Sequence, residues 1–392
     1  MGFELNREQV FALYDIENWW KNLPNQVFEI SGCAGSGKTT LIRYAMERLG
    51  IDLEDVVFIA YQGKAAMNMA RHGLPAQTIH SLIYTYEKVY ERDEKDNIVT
   101  DAQGKPKLTY DFVLKPRLDK KIRLIVIDEA GMVPENVARD ILSFRIPVVT
   151  LGDLNQLPPV FGKPFFLQNP NVILTQIMRQ AENDPIVYLS QQVLTGKPLD
   201  FGVYGKSSVI SKQNLNEYML RKADMVLTCT NKLRNLVNKT FREDILEFQK
   251  LDVPHIGEKI ICRKNNWKRC MDKSIFMTNG MSGEIDYIDM STFNGKTVKM
   301  DFKPDFMKKP YKNVVVDWGR LMNPIDRKEE FNRFDYGIDV FEFAYAITTH
   351  LSQGDQYDNV VFLSEKTFDR DMQKKLFYTA ITRAIKSITV VM

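Results

Sequence analysis

The sequence predicts an α/β protein with two parallel-sheet domains, a β-hairpin inserted in the first and a small β-barrel inserted in the second. Short apolar runs rich in β-branched residues alternate with helical patterns in the first half, which is typical of a parallel sheet covered by helices. A second alternation begins near Asp224. Between roughly Gly257 and Arg333 it gives way to short strand-like segments with frequent Gly, Pro and Asn, which favours a small barrel.

The first domain is assigned to residues 1–180. Its predicted strands are 27–30, 56–60, 124–127 and 148–151. The region 84–112 breaks this rhythm, because it is charged at 91–96, turns near 103–106 and is flanked by aromatic, strand-like pieces. We therefore expect a hairpin at 84–112 that projects from the sheet.

The second domain is assigned to residues 181–256 and 337–392, which enclose the barrel at 257–336. A helix is predicted at 232–249. The predicted strands of its sheet are 225–229, 344–348, 360–363 and 388–391. The predicted strands of the barrel are 258–263, 283–290, 297–302 and 313–316.

Composition is that of a globular protein, with 44% hydrophobic and 26% charged residues. A net charge of +3 is too small to capture a polyanion by overall charge, so any nucleic-acid contact must come from a locally basic groove. The four cysteines lack paired spacing, which argues against a zinc site or a disulfide framework. No apolar run approaches ~18 residues and the start is polar, so we expect no membrane partner and a cytoplasmic location, in the host if the chain is phage-encoded.

Residues 32–39 read G-C-A-G-S-G-K-T and satisfy the phosphate-loop pattern between a predicted strand and a helix. Such a loop wraps its backbone around phosphates at the amino end of the helix. Lys38 would reach the β- and γ-phosphates of ATP, and the Thr39 hydroxyl would hold Mg²⁺. The nucleotide-binding residues predicted here are Gly32, Gly35, Ser36, Gly37, Lys38, Thr39 and Thr40.

Carboxylates and an amide follow two other predicted strands. Asp128 and Glu129 end the strand at 124–127, where Asp128 can hold Mg²⁺ and Glu129 can polarise an attacking water. The alternative is an acidic helix start, since carboxylates also stabilise that position. Gln156 follows the strand at 148–151 and can sense the γ-phosphate by hydrogen bonding.

Six further motifs stand in a characteristic order around these three. They are 6–9 (NREQ), 60–66 (AYQGKAA), 76–81 (AQTIHS), 174–180 (LTQIMRQ), 346–354 (AITTHLSQG) and 378–384 (YTAITRA). Over nearly the whole chain this order resembles superfamily 1 helicases, and its details resemble the B-type branch with RecD-like and phage Dda-like members. The resemblance implies two RecA-like domains, an SH3-like barrel as the second insertion and a hairpin that acts as a wedge.

The resemblance also implies further nucleotide contacts. Gln9 would contact adenine, although Asn6 and Gln9 also have the spacing of a helix capping box. Arg179 and Arg383 would approach the γ-phosphate, with Arg383 as an arginine finger from the second domain. Their alternative is a surface ion pair. Gly354 would let the backbone approach the same phosphate.

Five residues fall in segments that members of this family place along single-stranded DNA: Lys64, Thr78, His80, Thr349 and His350. Hydroxyls, imidazoles and ammonium groups suit phosphate contacts, which hold a strand without reading its sequence. Each histidine is equally consistent with a structural role. Residues 265–269, around Trp267, mix aromatic and basic side chains and fit either a nucleic-acid contact or plain surface.

The resemblance implies an ATP- and Mg²⁺-dependent DNA helicase that moves on single-stranded DNA, 5′ to 3′, and unwinds duplexes with a single-stranded tail. It implies a monomer that acts in replication, recombination or repair, with single-strand-binding or replication proteins as further partners. An alternative is a translocase that displaces bound proteins without unwinding. A small-molecule phosphotransferase also uses a phosphate loop, but it needs neither Gln156 nor Arg383 in these positions.

Overall fold

The computed structural model describes residues 5–71, 73–90, 92, 97–100, 104–106, 108–159, 163–176, 184–246, 252–271, 275–305, 307–323, 337–366 and 369–392. Its α-helices are Arg7–Asn22, Lys38–Leu49, Gly63–Arg71, Ile79–Ile83, Glu135–Ser143, Pro185–Leu194, Glu217–Lys222, Asn231–Thr240, Trp318–Met322 and Arg370–Ile381. A π-helical turn at Phe241–Ile245 continues the helix predicted at 232–249. Short 3-10 turns lie at Leu53–Asp55, Ala130–Met132, Lys212–Asn214 and Met290–Thr292.

The first sheet has six strands that all run parallel. In spatial order they are Ala76–Thr78, Val56–Ala60, Leu124–Asp128, Val148–Gly152, Val27–Gly32 and Val172–Leu174. The four predicted strands are confirmed, and their alternate faces pack into two buried clusters on opposite sides of the sheet. Because parallel strands share their carboxyl edge, Gly32, Asp128 and Gly152 end side by side.

The second sheet also has six strands, of which Gly202–Tyr204 is an antiparallel edge. In spatial order they are Ala346–Thr348, Met225–Thr228, Tyr357–Leu363, Ala384–Val391, Ser207–Ile210 and Gly202–Tyr204. Two residues, Thr382 and Arg383, connect helix Arg370–Ile381 to the strand that starts at Ala384.

The segment predicted as a barrel forms a five-stranded antiparallel sheet. In spatial order its strands are Tyr311–Asp317, Thr297–Pro304, Ser282–Asp289, Lys259–Cys262 and Phe341–Phe343. A bridge between Val316 and Asp339 connects its two edges, so the sheet curls towards closure. Strand Phe341–Phe343 belongs to this sheet although it lies beyond the predicted boundary at residue 336. A separate two-stranded ribbon pairs Asn266–Met271 with Ile275–Met277.

Residues 84–112 contain most of a two-stranded antiparallel ribbon, Tyr84–Tyr90 with Leu108–Leu114. Its register runs without a break from Tyr84 opposite Leu114 to Tyr90 opposite Leu108. The ribbon leaves the first domain directly after helix Ile79–Ile83. Among the described residues, no helix is long and apolar enough to cross a membrane.

Candidate nucleotide site and domain interface

The phosphate loop has the backbone that its glycines permit. Gly35 and Gly37 have φ of 82° and 79°, values that residues with a side chain rarely adopt. A Cβ atom on Gly32 would lie 2.5 Å from Ser36 Oγ, so this position also needs glycine. Helix Lys38–Leu49 follows at once, and its free amino-terminal N–H groups face the loop.

The lysine of the loop is folded back on the loop itself. Lys38 Nζ donates to the carbonyl oxygens of Gly32 at 2.6 Å and Cys33 at 3.1 Å. Phosphate oxygens would replace these two carbonyls as the partners of the ammonium group. The Ser36 hydroxyl is buried without a hydrogen-bond partner in the described part of the chain. An unpaired buried hydroxyl inside a glycine cradle fits a polyphosphate ligand.

Two carboxylates lie at the end of strand Leu124–Asp128, which strand Val148–Gly152 separates from the phosphate-loop strand. Burial raises the pKa of Asp128, and the charge of Lys38 lowers it. Burial likewise raises the pKa of Glu129, as does Asp128, whereas Arg383 and Lys38 lower it. Glu129 has φ of 50°, a left-handed conformation that costs a residue with a side chain about 1–3 kcal/mol. Strain and desolvated like charges at one point are typical of a catalytic site.

Gln156 lies on the loop after strand Val148–Gly152, which pairs with the strand that ends in the carboxylates. Its side chain is buried, and its Oε1 has no partner among the residues that the structure describes. Gln353, from the second domain, is also buried, and its Oε1 likewise has no hydrogen-bond partner among the described residues. Buried acceptors without donors are costly, so both amides are suited to a ligand or water that donates to them.

Gln9 has both of the features that its spacing allows. Its Oε1 accepts from Asn6 N at 3.1 Å, and Asn6 Oδ1 accepts from Gln9 N at 2.8 Å, so the capping box is present. Its Nε2 donates to the Ser36 carbonyl of the phosphate loop at 3.1 Å. The side chain therefore lies against the phosphate loop, and these hydrogen bonds use one of the two N–H donors and one of the two acceptor sites of its amide.

Arg383 reaches the cleft from the second domain and is almost fully buried. Its guanidinium donates to Thr379 O and Asp355 O, both at 3.1 Å, and to Thr382 Oγ1 at 3.3 Å. All three acceptors belong to its own domain, so the surface ion pair considered above is not what holds it. The other predicted arginine, Arg179, lies outside the described residues.

Gly354 lies against helix Gly63–Arg71 of the first domain. Its φ is 81°, and a Cβ atom there would lie 3.3 Å from Ala65 Cβ. Its carbonyl accepts a hydrogen bond from Asn68 Nδ2. The close approach of helix Gly63–Arg71 is therefore one reason for glycine at this position, and the predicted approach to phosphate stays a prediction.

Two of the predicted DNA contacts are buried, Lys64 between the two domains and Thr349 within the second domain. Lys64 is 5% exposed, and its Nζ pairs with Asp355 Oδ2 of the second domain at 2.5 Å. Thr349 is fully buried, and its hydroxyl donates to Thr228 O at 3.1 Å. In this structure neither side chain is open to a phosphate. Asp355, the partner of Lys64, lies outside every motif recognised in the sequence.

The other three predicted DNA contacts are partly exposed. Thr78 caps helix Ile79–Ile83 by accepting from Ser81 N at 3.2 Å. Burial lowers the pKa of His80 and of His350, so both imidazoles are neutral at pH 7. Neutral imidazoles can donate a hydrogen bond or stack, but they add no positive charge.

An aromatic cluster surrounds His80 at the base of the hairpin. The ring centroid of His80 lies 5.7 Å from Tyr61, 5.4 Å from Tyr84 and 5.6 Å from Phe112. The Phe112 side chain remains 45% exposed. Residues 265–269, at the start of the two-stranded ribbon, give less support for a nucleic-acid contact. Asn266 and Arg269 both donate to Asp339, and the Trp267 side chain lies outside the described part of the chain.

Comparison with known families accounts for this arrangement. The family model described as an AAA domain matches residues 5–214, more than half of the chain. A second model, the UvrD-like helicase C-terminal domain, matches residues 343–391 and includes Gly354 and Arg383. This chain belongs to the superfamily 1 helicases. The two matches flank the antiparallel sheet, so the helicase motifs lie in the two parallel-sheet domains.

Curated relatives and a solved structure agree with this family. The ATP-dependent RecD2 DNA helicase of Deinococcus radiodurans is 24% identical over 91% of this chain and 45% of the relative. The ATP-dependent DNA helicase dda of Enterobacteria phage T4 is 26% identical over 61% of this chain and 56% of the relative. The chain spans 30–56% of the length of the four curated relatives compared.

The fold is similar to that of Pif1 helicase from Bacteroides, crystallised with ADP-AlF3 and single-stranded DNA. The TM-score is 0.54 at 17% identity, over 99% of this chain and 92% of that one. The predicted α/β class with parallel sheets is confirmed.

Proposed function

We propose that this chain is an ATP-dependent DNA helicase that translocates on single-stranded DNA. The observation that carries the proposal is one cleft between two parallel-sheet domains. On one wall lie Lys38, Glu129 and Gln156, and on the other lies Arg383, close enough to lower the pKa of Glu129. Catalytic groups shared between two domains make hydrolysis depend on domain closure.

ATP and Mg²⁺ fit the groups present. Residues 32–40 would hold the phosphates, Gln9 the adenine, and Thr39 with Asp128 the magnesium ion. Magnesium needs only one or two protein ligands when phosphates supply the others, and it neutralises phosphate charge.

The protein's own groups would divide the remaining work. Glu129 would accept a proton from the attacking water, which requires its ionised form. Burial and the charge of Asp128 raise the pKa of Glu129 and disfavour that form, and the positive charges of Arg383 and Lys38 offset part of this effect. Arg383 would exchange its three carbonyl and hydroxyl partners for phosphate oxygens as charge develops there. Gln156 would donate to the γ-phosphate, as would Arg179, and both contacts end on hydrolysis.

The DNA partner is inferred from the family and from the surface beside the cleft. Two relatives named as DNA helicases and a Pif1 structure with single-stranded DNA support this substrate. His80, His350, Thr78 and the exposed Phe112 would lie along the strand. Lys64 would join them only if the domain interface opens, and Thr349 only if its hydroxyl leaves Thr228. Aromatic stacking tolerates any base, as a translocating enzyme needs.

Duplex separation would use the two insertions. The hairpin at 84–112 is proposed as the wedge, and the antiparallel sheet within 257–336, whose edges meet at Val316 and Asp339, as an SH3-like barrel. Residues 1–180, and 181–256 with 337–392, would be the RecA-like domains.

Family resemblance favours a monomer that moves 5′ to 3′ in the cytoplasm, or in the host cytoplasm for a phage-encoded chain, during replication, recombination or repair. It also favours single-strand-binding proteins as partners. Opening one base-pair step costs about 1.4 kcal/mol, well within what one ATP supplies.

The test is ATP-dependent strand separation on matched duplexes with either a 5′ or a 3′ single-stranded tail. We expect unwinding of the 5′-tailed duplex alone, and neither ATP hydrolysis nor unwinding by Lys38→Ala, with some DNA binding retained. Full ATP turnover by Lys38→Ala would reject the site. DNA-stimulated ATPase with release of bound protein but without strand separation would establish the translocase instead. ATPase that single-stranded DNA does not stimulate would favour a phosphotransferase.

A further inference from the structure

The segment 153–157 of the first domain is held by three buried side chains of the second. Tyr378 Oη donates to Asp153 Oδ2 at 2.6 Å. Leu157 N donates to Thr379 Oγ1 at 3.1 Å, and Gln353 Nε2 donates to Leu157 O at 2.8 Å. The side chains that make this clasp are all under 10% exposed. The hydrogen bonds thus bind both ends of a five-residue loop.

The clasp encloses the proposed γ-phosphate sensor and also supports the proposed finger. Gln156 lies between the two clasped residues, Asp153 and Leu157. Thr379 uses its hydroxyl for Leu157 and its carbonyl for Arg383 Nε, at 3.1 Å. One residue of helix Arg370–Ile381 therefore fixes the sensor loop and the arginine relative to each other.

Tyr378 also touches the phosphate loop. Its hydroxyl accepts from Ala34 N at 3.5 Å while it donates to Asp153. A change in the phosphate loop and a change at Asp153 would thus reach the second domain through the same oxygen atom.

The clasp has the properties of an element with two arrangements. Its donors and acceptors are buried, where an unpaired polar group is expensive, so they must keep these partners or exchange them together. Apolar packing between the domains would slide more gradually. Discrete polar contacts instead couple the position of one domain to the state of the other.

We propose that Tyr378, Thr379 and Gln353 are positioning residues that couple nucleotide binding in the phosphate loop to DNA affinity in the second domain. This rests on the proposed function, because it requires that the chain bind both ATP and single-stranded DNA. Tyr378 and Thr379 belong to the motif 378–384, in which Arg383 is the residue with a predicted function.

The experiment measures a coupling factor, the ratio of single-stranded DNA dissociation constants with and without a non-hydrolysable ATP analogue. Fluorescence anisotropy of a labelled oligonucleotide gives both constants. We expect a factor of at least about 5 for the unaltered chain, within the usual range for linked sites. Tyr378→Phe and Thr379→Val remove one hydroxyl each and should bring the factor to within about twofold of 1. Thr379→Ser keeps the hydroxyl and should retain the factor.

The matched control is Tyr345→Phe. Tyr345 is buried, and its hydroxyl donates to Glu258 Oε1 at 3.4 Å. The Tyr345→Phe variant therefore loses a tyrosine–carboxylate hydrogen bond that lies away from the clasp. It should keep the coupling factor of the unaltered chain. If Tyr378→Phe and Thr379→Val lower thermal stability but keep the factor, the clasp is only structural and the proposal is overturned. Lack of DNA-stimulated ATPase in the unaltered chain would overturn the proposed function as well.

Discussion

The buried ion pair between Lys64 and Asp355 gives the sharpest test of the domain interface. The Nζ–Oδ2 distance is 2.5 Å, and the side chains are 6% and 15% exposed. In Lys64→Met the aliphatic stem stays in place and only the ammonium group is lost. Asp355 then stays largely buried, with the Tyr357 hydroxyl at 2.8 Å as a side-chain partner among the described residues.

The expected cost follows from that burial. Removing one partner of a buried pair costs about 3–5 kcal/mol, because a desolvated charge is left behind. An exposed pair contributes about 0–1 kcal/mol. The double variant Lys64→Met with Asp355→Asn leaves no charge unpaired, so it should recover most of the loss.

Urea unfolding of the two single variants and the double variant gives the coupling energy of the pair. The matched control is Lys303→Met, which breaks the Lys303–Glu284 pair at 2.8 Å where the side chains are 37% and 45% exposed. We expect Lys64→Met to lower the unfolding free energy by at least about 2 kcal/mol more than Lys303→Met. Equal effects would refute the reasoning.

The same variant decides whether Lys64 contacts DNA. A cation that neutralises one phosphate of a single strand contributes about 0.7 to the slope of log affinity against log salt concentration. Because Asp355 already holds Lys64, we expect Lys64→Met to keep the slope of the unaltered chain. A slope lower by about 0.7 would show that DNA binding opens the pair and releases Lys64 to a phosphate.

Three further predictions concern catalysis and the hairpin. Arg383→Ala should bind ATP but hydrolyse it ~10³-fold more slowly, as loss of an arginine finger does; a near-normal turnover number would remove that role. Glu129→Gln should lower turnover by about 10²–10⁴-fold yet raise the thermal unfolding temperature at pH 8. Burial raises the pKa of Glu129 in the folded chain, so its ionised form destabilises the fold at high pH. The increase in unfolding temperature caused by Glu129→Gln should therefore shrink as the pH falls towards the ordinary pKa of 4.5. An increase that persists at that pH, or no increase at pH 8, contradicts the prediction. Deleting residues 91–105, between the paired strands, should spare DNA-stimulated ATPase and impair unwinding, and intact unwinding would place the wedge elsewhere.

Most of the fold followed from local patterns. Mainly apolar runs of four or five residues mark four of the six strands of the first sheet, and these four begin where predicted because buried strands of a parallel sheet are largely apolar. The two short edge strands, Ala76–Thr78 and Val172–Leu174, were not predicted. The barrel edge was harder to place. Phe341–Phe343 is short and apolar, a pattern that fits either sheet, and only its pairing with Lys259–Cys262 assigns it.

The candidate site also combines features that are local in sequence with features that depend on packing. The phosphate loop, the strand-end carboxylates and the order of the helicase motifs could be predicted from the sequence, because each depends on residues adjacent in the chain. Only the tertiary structure decided that Lys64 is paired with Asp355, that Gly354 serves a helix contact and that Tyr378 holds Asp153. Asp153 and Tyr378 are 225 residues apart, and Lys64 and Asp355 are 291 apart. Hydrogen bonds and ion pairs over such separations depend on how the domains pack, which no local pattern of residues specifies.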